Sequence, residues 1–415
     1  MDGRHRAGRK PSPSRSGRRS EHSDGRSGFE QGCAPVSANA VAETTGHVAE
    51  TPTTAVHVWL SGQADNVGDS VLRRVYANEL RSAGRLVVWA GDPRSGYAAG
   101  LRLHPDEASP GFLSWWLSVA RAAVGRGGIF AFNAGEFVPT RRYFAGVVSL
   151  LPLLAVHRMR GGRIVWVGAG VRRTLPGFTW PFALLAQWSD LLLWRDARSV
   201  ELMGRGGTMP DWAFGSGQPA VVQADDGARS LPGTTGAPGR DLLAVSLRGD
   251  RPAPSERWVE AVRGLAHRLG LTPIVVVQVK RDATAAHDLA GRLDAEAAEW
   301  ATDDHWAQEL RVRDVYRRSR VVLSDRLHAL VMGATEGAVP LGWCESSNEK
   351  IARHFDQIGA SWVGADARDP TERLGELDRD RLDDLGVATV AIVDDARGQL
   401  ADVGRRLAEI GAVRR

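Results

Sequence analysis

Apolar residues in this chain come in short runs, separated by polar stretches with helical spacing. Val56-His57-Val58-Trp59-Leu60 reads as a buried strand, followed by a loop over 61–68 and a helix from Asp69 to about Ala83. Leu86–Ala90, Gly128–Phe132, Arg163–Val167 and Leu191–Trp194 are further strands, with helices over Tyr143–Arg158 and Asp196–Met203. Residues 215–240, rich in Gly, Pro, Ser and Thr, break this rhythm. It then resumes with a strand over Asp241–Leu247, a helix over Ser255–Leu269 with Ser255 as N-cap, and a strand over Pro273–Val279. A helical pattern covers Asp282–Ala298. Short strands at Val321–Leu323 and Val339–Leu341 flank a helix over Arg326–Thr335, and a final helical region, in one or two pieces, runs from about Arg381 to Ile410.

Strands alternating with helices predict βαβ units and parallel sheets. The expected architecture is α/β: two Rossmann-like domains, 55–215 and 241–415, joined by a linker at 216–240 and facing each other across a cleft. In such open sheets ligands bind beyond the carboxyl ends of the strands, so the strand-end loops should line that cleft. Residues 1–54 show no sustained apolar period and read as a disordered tail.

Composition adds few constraints. The chain has 415 residues, 43% hydrophobic and 25% charged, with a net charge of +4. Residues 1–31 hold eight Lys/Arg against four Asp/Glu, which is the whole excess. The remainder is formally neutral, so a nucleic-acid-binding body is not expected. Two cysteines, Cys33 and Cys344, give neither a disulfide framework nor a zinc pattern and suit a reducing compartment. The basic N-terminus has no apolar stretch behind it, so no secretory signal is expected. The longest apolar segment, Tyr143 to Val156, is too short to span a bilayer. A cytoplasmic protein is the expectation, with a peripheral contact at the inner face of the membrane through the tail as an open option. The fourteen tryptophans are read as core and sugar-site lining rather than as membrane contacts.

The candidate chemistry sits at strand ends. In Ser324-Asp325-Arg326-Leu327-His328 a buried strand stops and a helix begins. Unpaired N–H groups and the positive end of the helix dipole favour an anion there, and an Arg fork beside a titratable His suits binding and protonating one. Arg248 leaves a buried strand in Ser246-Leu247-Arg248-Gly249, placed to reach the cleft or to form a surface ion pair. In Asn66-Val67-Gly68-Asp69, Gly68 allows a tight turn and close backbone approach, and Asp69 can cap the following helix. Gly168-Ala169-Gly170 is a glycine cluster without the spacing of a dinucleotide site. In Arg195-Asp196-Ala197-Arg198-Ser199, Asp196 is a natural N-cap and Arg195 faces the cleft or a carboxylate, whereas Asp211 reads as structural. Lys350 can meet a phosphate or remain an exposed first-turn residue. No metalloprotease, nucleophile-elbow, P-loop or paired-cysteine motif occurs, so chemistry through Arg, His and acidic side chains without a metal is expected.

Taken in order, these segments resemble the polysaccharide pyruvyl transferase family over about residues 56–365. Asn66-Val67-Gly68-Asp69 is similar to its N-x-G-D loop, Gly168-Ala169-Gly170 to its glycine-rich strand end, and Arg195-Asp196 with Ser199 to its R-D-x-x-S segment. Asp211-Trp212-Ala213-Phe214 is similar to its D-x-A-F segment, Arg326-Leu327-His328 to its R-x-H element, and Glu349-Lys350 to the lysine-containing segment beyond. The resemblance implies a GT-B-like pair of Rossmann-like domains that moves the enolpyruvyl unit of phosphoenolpyruvate onto a sugar and leaves a pyruvate ketal. It implies no cofactor beyond phosphoenolpyruvate as co-substrate, and a glycan or lipid-linked oligosaccharide as acceptor partner. It places Arg248, Arg326 and Lys350 at the donor, His328 as general acid or phosphate partner, and Asn66, Gly68, Asp69 and Arg195 on the acceptor side. Arg172-Arg173-Thr174 departs from the small residues and Pro expected after the glycines, which leaves the acceptor open. A nucleotide-sugar glycosyltransferase of the same shape and a non-catalytic partner in polysaccharide assembly are the alternatives.

Overall fold

The computed structural model describes residues 54–92, 94–125, 127–137, 140–217, 239–346, 349–364 and 368–412. The expected tail (1–54), apart from Thr54, and most of the expected linker (216–240) lie outside these residues. The N-terminal lobe runs β1 (Ala55–Trp59), α1 (Val67–Arg81), β2 (Arg85–Trp89), α2 (Gly96–Leu101), α3 (Phe112–Val124), β3 (Ile129–Ala131), β4 (Gly135–Phe137), α4 (Arg141–Met159), β5 (Arg163–Val171), α5 (Trp180–Trp188), β6 (Leu191–Trp194), α6 (Ala197–Met203) and β7 (Gly207–Thr208). The C-terminal lobe runs β8 (Leu242–Ser246), α7 (Glu256–Leu269), β9 (Thr272–Val276), α8 (Ala283–Leu293), β10 (Glu296–Ala298), α9 (His305–Arg318), β11 (Ser319–Ser324), α10 (Leu327–Thr335), β12 (Val339–Leu341), α11 (Glu349–Asp356), α12 (Pro370–Glu376) and α13 (Arg379–Ala412).

Each lobe has one wholly parallel sheet, in the orders β2-β1-β3-β5-β6-β7, with β4 also beside β5, and β10-β9-β8-β11-β12. Helices cover the sheet faces, which is why the strands read as continuous apolar runs rather than alternating ones. In the second sheet the strand order reverses between β8 and β11, the switch point where a crevice opens. Ser246 and Ser324 are register partners at the ends of those two strands. The chain therefore leaves both strands at one level, and Arg248 and Arg326 each stand two residues further out.

An aromatic cluster built around Trp59, Trp115, Phe132 and Trp166 fills the N-terminal lobe, and a Leu/Val cluster with Trp258 fills the C-terminal one. The largest cluster is shared: it runs from Val56 and Val71 through Trp212 to Val322, Leu330 and Val393. Helix α13 spans the junction as one continuous helix, which settles the two-piece alternative. Glu79 of α1 packs against its Gly404, and Ala83 against its Gly411. No helix among the described residues is long and apolar enough to cross a membrane.

Several elements differ from the sequence expectation. The pattern over Asp282–Ala298 holds α8 and then edge strand β10, because α8 ends on Asp294 in the left-handed conformation (φ 51°). Helices α2, α3, α5 and α9 were not anticipated; α5 is apolar on most sides and lacks the polar face on which helix recognition depends. Helix α1 begins at Val67 and its cap is Asn66, whose side chain accepts from the Gly68 N–H at 3.1 Å; Asp69 lies in the first turn and is not the cap. Ser255 and Asp196 cap α7 and α6 as expected. The glycine cluster lies inside β5 rather than beyond its end. Gly168 (φ 79°) marks a register shift against β6, and Trp212 occupies the space its side chain would need.

Candidate active site

The N-terminus of α10 meets the N-terminus of α1 where the lobes face each other. A Cβ added to Gly68 would lie 2.6 Å from Cγ of His328 and closer still to its Cβ and Nδ1. Gly68 has no left-handed φ, so it serves this contact rather than a tight turn. On its other side the His328 ring turns Nε2 toward Oδ2 of Asp211, at 3.8 Å. Asp211 is buried and accepts from Nη1 of Arg195 at 2.9 Å through that same oxygen, while its Oδ1 accepts from the Ala213 N–H. Burial opposes ionisation of Asp211, but His328, Arg195 and His354 around it hold its carboxyl well below the usual carboxylate range. Arg195 is only 1% exposed. It threads past Gly170, where an added Cβ would meet Nε at 2.6 Å. The first and third positions of the glycine cluster therefore make room for the Trp212 and Arg195 side chains, not for a phosphate.

Lys350 closes the same region from α11. Its Nζ donates to Oε2 of Glu136 on β4 at 2.9 Å, a pair that bridges the lobes. Burial works against Glu136, yet Lys350 and Arg195 bring its carboxyl down to about 2; burial and Arg195 also push the Lys350 ammonium down. Lys350 stands in the first turn of α11, and Glu136 supplies an opposite charge to it across the cleft. His354, one turn further along α11, lies 4.0 Å from Asp196 and accepts from or donates to no carboxylate; its Nδ1 is 2.7 Å from the Lys350 carbonyl. Burial first and Arg195 second drive its pKa well below the usual histidine value. Arg195 Nε, His328 Nε2 and His354 Nε2 are buried without a hydrogen-bond partner, three such atoms around one pair of aspartates. Clustered unsatisfied polar atoms mark a site built to receive something polar.

The two arginines form a neighbouring patch at the switch point of the second sheet. Nη2 of Arg326 donates to Oδ1 of Asp282 at 2.6 Å, and both groups are nearly buried. Arg248 makes a two-point pair with Asp250, at 2.8 and 2.6 Å, in which the Asp side chain is 54% exposed. The surface ion pair is thus the alternative realised for Arg248. Both arginines find their carboxylate partners within the C-terminal lobe, while His328 turns to Asp211 and Gly68. Asp325, given no role from sequence, holds this patch together, accepting from the Arg248 N–H at 2.8 Å and from Ser346 Oγ at 3.0 Å. Burial pushes its carboxyl up. It lines a cavity of about 430 Å³ with Arg248, Arg251, Trp258 and Cys344.

On the acceptor side, Asn66 is the helix cap described above, and its residue bridges antiparallel to Val279 of the other lobe. Asp69 accepts from the Gln63 N–H at 3.0 Å and lies 3.5 Å from Arg73. These two residues shape the loop after β1. Beside that loop a cavity of about 720 Å³ is lined by Trp59, Trp89, Tyr97, Phe112 and Tyr143. Asp211 and His354 are the residues that sequence reasoning missed. Asp211 stood inside a segment already singled out, but there it reads as structural.

Two parallel α/β lobes with ligand-binding edges turned toward one another define a GT-B-like protein. A structure described as a UDP-N-acetylglucosamine 2-epimerase from Listeria monocytogenes shares this fold with a TM-score of 0.50 at 14% identity, covering 86% of this chain and 97% of that one. An O-GlcNAc transferase mutant from Thermobaculum terrenum matches with a TM-score of 0.48 at 15% identity, covering 86% of this chain and 68% of that one. No curated protein matches the sequence. The chain belongs to the polysaccharide pyruvyl transferase family, a family of transferases, whose sequence model matches residues 66–338, well over half of its length. The match begins at Asn66 and takes in Gly68, Asp69, Arg195, Asp211, Arg248, Arg326 and His328; Lys350 and His354 lie beyond it.

Proposed function

We propose that this protein transfers the enolpyruvyl unit of phosphoenolpyruvate to two hydroxyls of one sugar residue, in a glycan or its lipid-linked precursor, forming a pyruvate ketal. The observation that carries this reading is the meeting of Gly68, Asp211 and His328, from three separate family segments, at one point between the lobes.

The overall change balances without a redox partner. The CH2 carbon of the donor gains a proton and becomes CH3. Two sugar oxygens bond to C2, the C2–O bond to phosphate breaks, and of the two hydroxyl protons one ends on carbon and the other on phosphate. His328 is the group assigned to carry a proton to the donor or to the departing phosphate, a role worth roughly 10²–10⁴-fold in rate. Asp211, kept ionised by its neighbours, faces Nε2 of that ring and orients it. Arg195 is a positioning residue acting through Asp211.

Donor charge is met at the switch point. Of the two arginines, Arg248 is the more available, because its partner Asp250 is half in solvent and such pairs exchange at little cost. Arg326 is fixed by a buried carboxylate and contributes field rather than a movable fork. The aromatic walls of the N-terminal cavity suit the apolar faces of sugar rings and are assigned to the acceptor.

The test is incubation of the protein with phosphoenolpyruvate and a panel of aryl and lipid-linked glycosides, followed by phosphate assay and mass spectrometry. The expected product is the ketal-bearing glycoside with one equivalent of phosphate. Consumption of a nucleotide sugar in place of phosphoenolpyruvate would overturn the assignment in favour of glycosyl transfer.

A further inference from the structure

We infer that the outer face of α3, α4 and α5 is a docking surface for an anionic lipid bilayer. Isolated exposed apolar residues need no explanation, but contiguous ones do. Of the seven exposed large apolar side chains among the described residues, five lie on these three helices: Leu113, Leu117, Val124, Met159 and Trp180, exposed by 39–78%. At 100° per residue Leu113, Leu117 and Val124 fall within about 40° of one another on α3. They oppose the buried Trp115, Val119 and Ala123. Helix α3 is therefore apolar on two sides, and only one of them meets the core.

The three helices present one surface. Trp116 of α3 donates to the Ser149 carbonyl of α4 at 3.4 Å, and Phe144 of α4 packs edge-on against Trp180 of α5 at 6.1 Å. On α4 the exposed positions Ala145, Ser149 and Pro152, between Arg141 and Arg158, are uncharged.

Charge selects the occupant. None of the three helices contains an Asp or Glu. Exposed arginines stand on the helices themselves: Arg121 on α3, and Arg141 and Arg158 on α4. Asp190, at the edge, is already met by Arg158 and Arg163. An acid-free apolar patch with arginines on the same helices and tryptophan at its border matches a leaflet whose interior takes the leucines and whose phosphates take the guanidinium groups. A second copy of this chain seated face to face would set like charges against one another.

The aromatic-lined cavity opens beside this face, since Phe112 of α3 and Ala145 and Ser149 of α4 line it. A glycan anchored in the bilayer would be presented at its mouth. That consequence rests on the glycan-acceptor reading above; the docking does not.

The experiment is co-sedimentation of the full chain with phosphatidylcholine vesicles with and without phosphatidylglycerol, at low and high salt. Wild type should bind the anionic vesicles and release as salt rises. Leu117→Glu and Val124→Glu should each weaken binding at least about tenfold with an unchanged melting temperature. Arg121→Glu serves as a second, wholly polar variant should either of these fail to fold, and should weaken only the anionic-vesicle binding. Three results would overturn the proposal. One is no binding by wild type. Another is equal binding by all variants, which assigns the contact to residues 1–53 or elsewhere. The third is a wild-type dimer that Leu117→Glu converts to monomer without any vesicle binding.

Discussion

Gly68 and His328, 260 residues apart in the chain, occupy adjoining space: the missing side chain of the first is filled by the imidazole of the second. Gly68→Ala must displace the ring or open the lobes. A displacement of about 1 Å at a reacting group costs on the order of 10²-fold in rate. The expected result is a comparable loss in phosphate release from phosphoenolpyruvate with donor KM little changed. His328→Ala should lose at least about a hundredfold of turnover while its melting temperature stays near that of wild type. Full activity in either variant would remove the pair from the mechanism.

Arg248 and Arg326 should separate by phenotype. Arg248→Ala breaks a half-exposed pair and should change stability by no more than about 1 kcal/mol, while raising the donor KM. Arg326→Ala leaves Asp282 buried and uncompensated, so a loss of roughly 3–5 kcal/mol is expected. Urea unfolding beside steady-state kinetics reads both, and matched behaviour of the two variants would show that their environments do not differ as described.

Glu309 is the centre of a buried clamp between the lobes. Its carboxylate takes a two-point pair from Arg74 of α1, at 2.6 Å for each contact, and a further bond from Arg313 at 2.7 Å. Arg313 in turn reaches Glu336 and Ser216, each at 2.7 Å. Glu309→Ala strands two arginines and should cost roughly 3–5 kcal/mol, with Glu309→Gln milder because it keeps acceptor oxygen on one side. Calorimetry or urea unfolding checks the order.

The pair Glu136–Lys350 gives a pH signature. The folded carboxyl is depressed to about 2, so its contribution is complete above the unfolded value and fades as pH falls toward 2. The stability gap between wild type and Glu136→Gln should hold constant from pH 7 to about 5 and then narrow down to pH 3. Because burial disfavours the Lys350 ammonium, the gap at neutral pH should be smaller than the carboxyl alone implies. A gap that widens on acidification would contradict the pairing.

The parallel strands were legible because burial on both faces forces unbroken Val, Ile and Leu runs, as in Val321–Leu323 and Leu191–Trp194. The caps Ser255 and Asp196 were legible because a helix start needs a short oxygen-bearing side chain at a fixed offset. Helix α5 was not, since a segment apolar on nearly every side lacks the periodicity that reveals a helix.

By itself the sequence determined the strand–helix order, the placement of Arg248, Arg326 and His328 at strand ends, and the family motifs, all of which depend on neighbours within a few residues. Only the tertiary structure decided which charges meet. It paired Arg326 with Asp282, Lys350 with Glu136 and His328 with Asp211. Those choices are made by groups distant in sequence that must each find a partner once water is excluded, and local pattern carries no record of them.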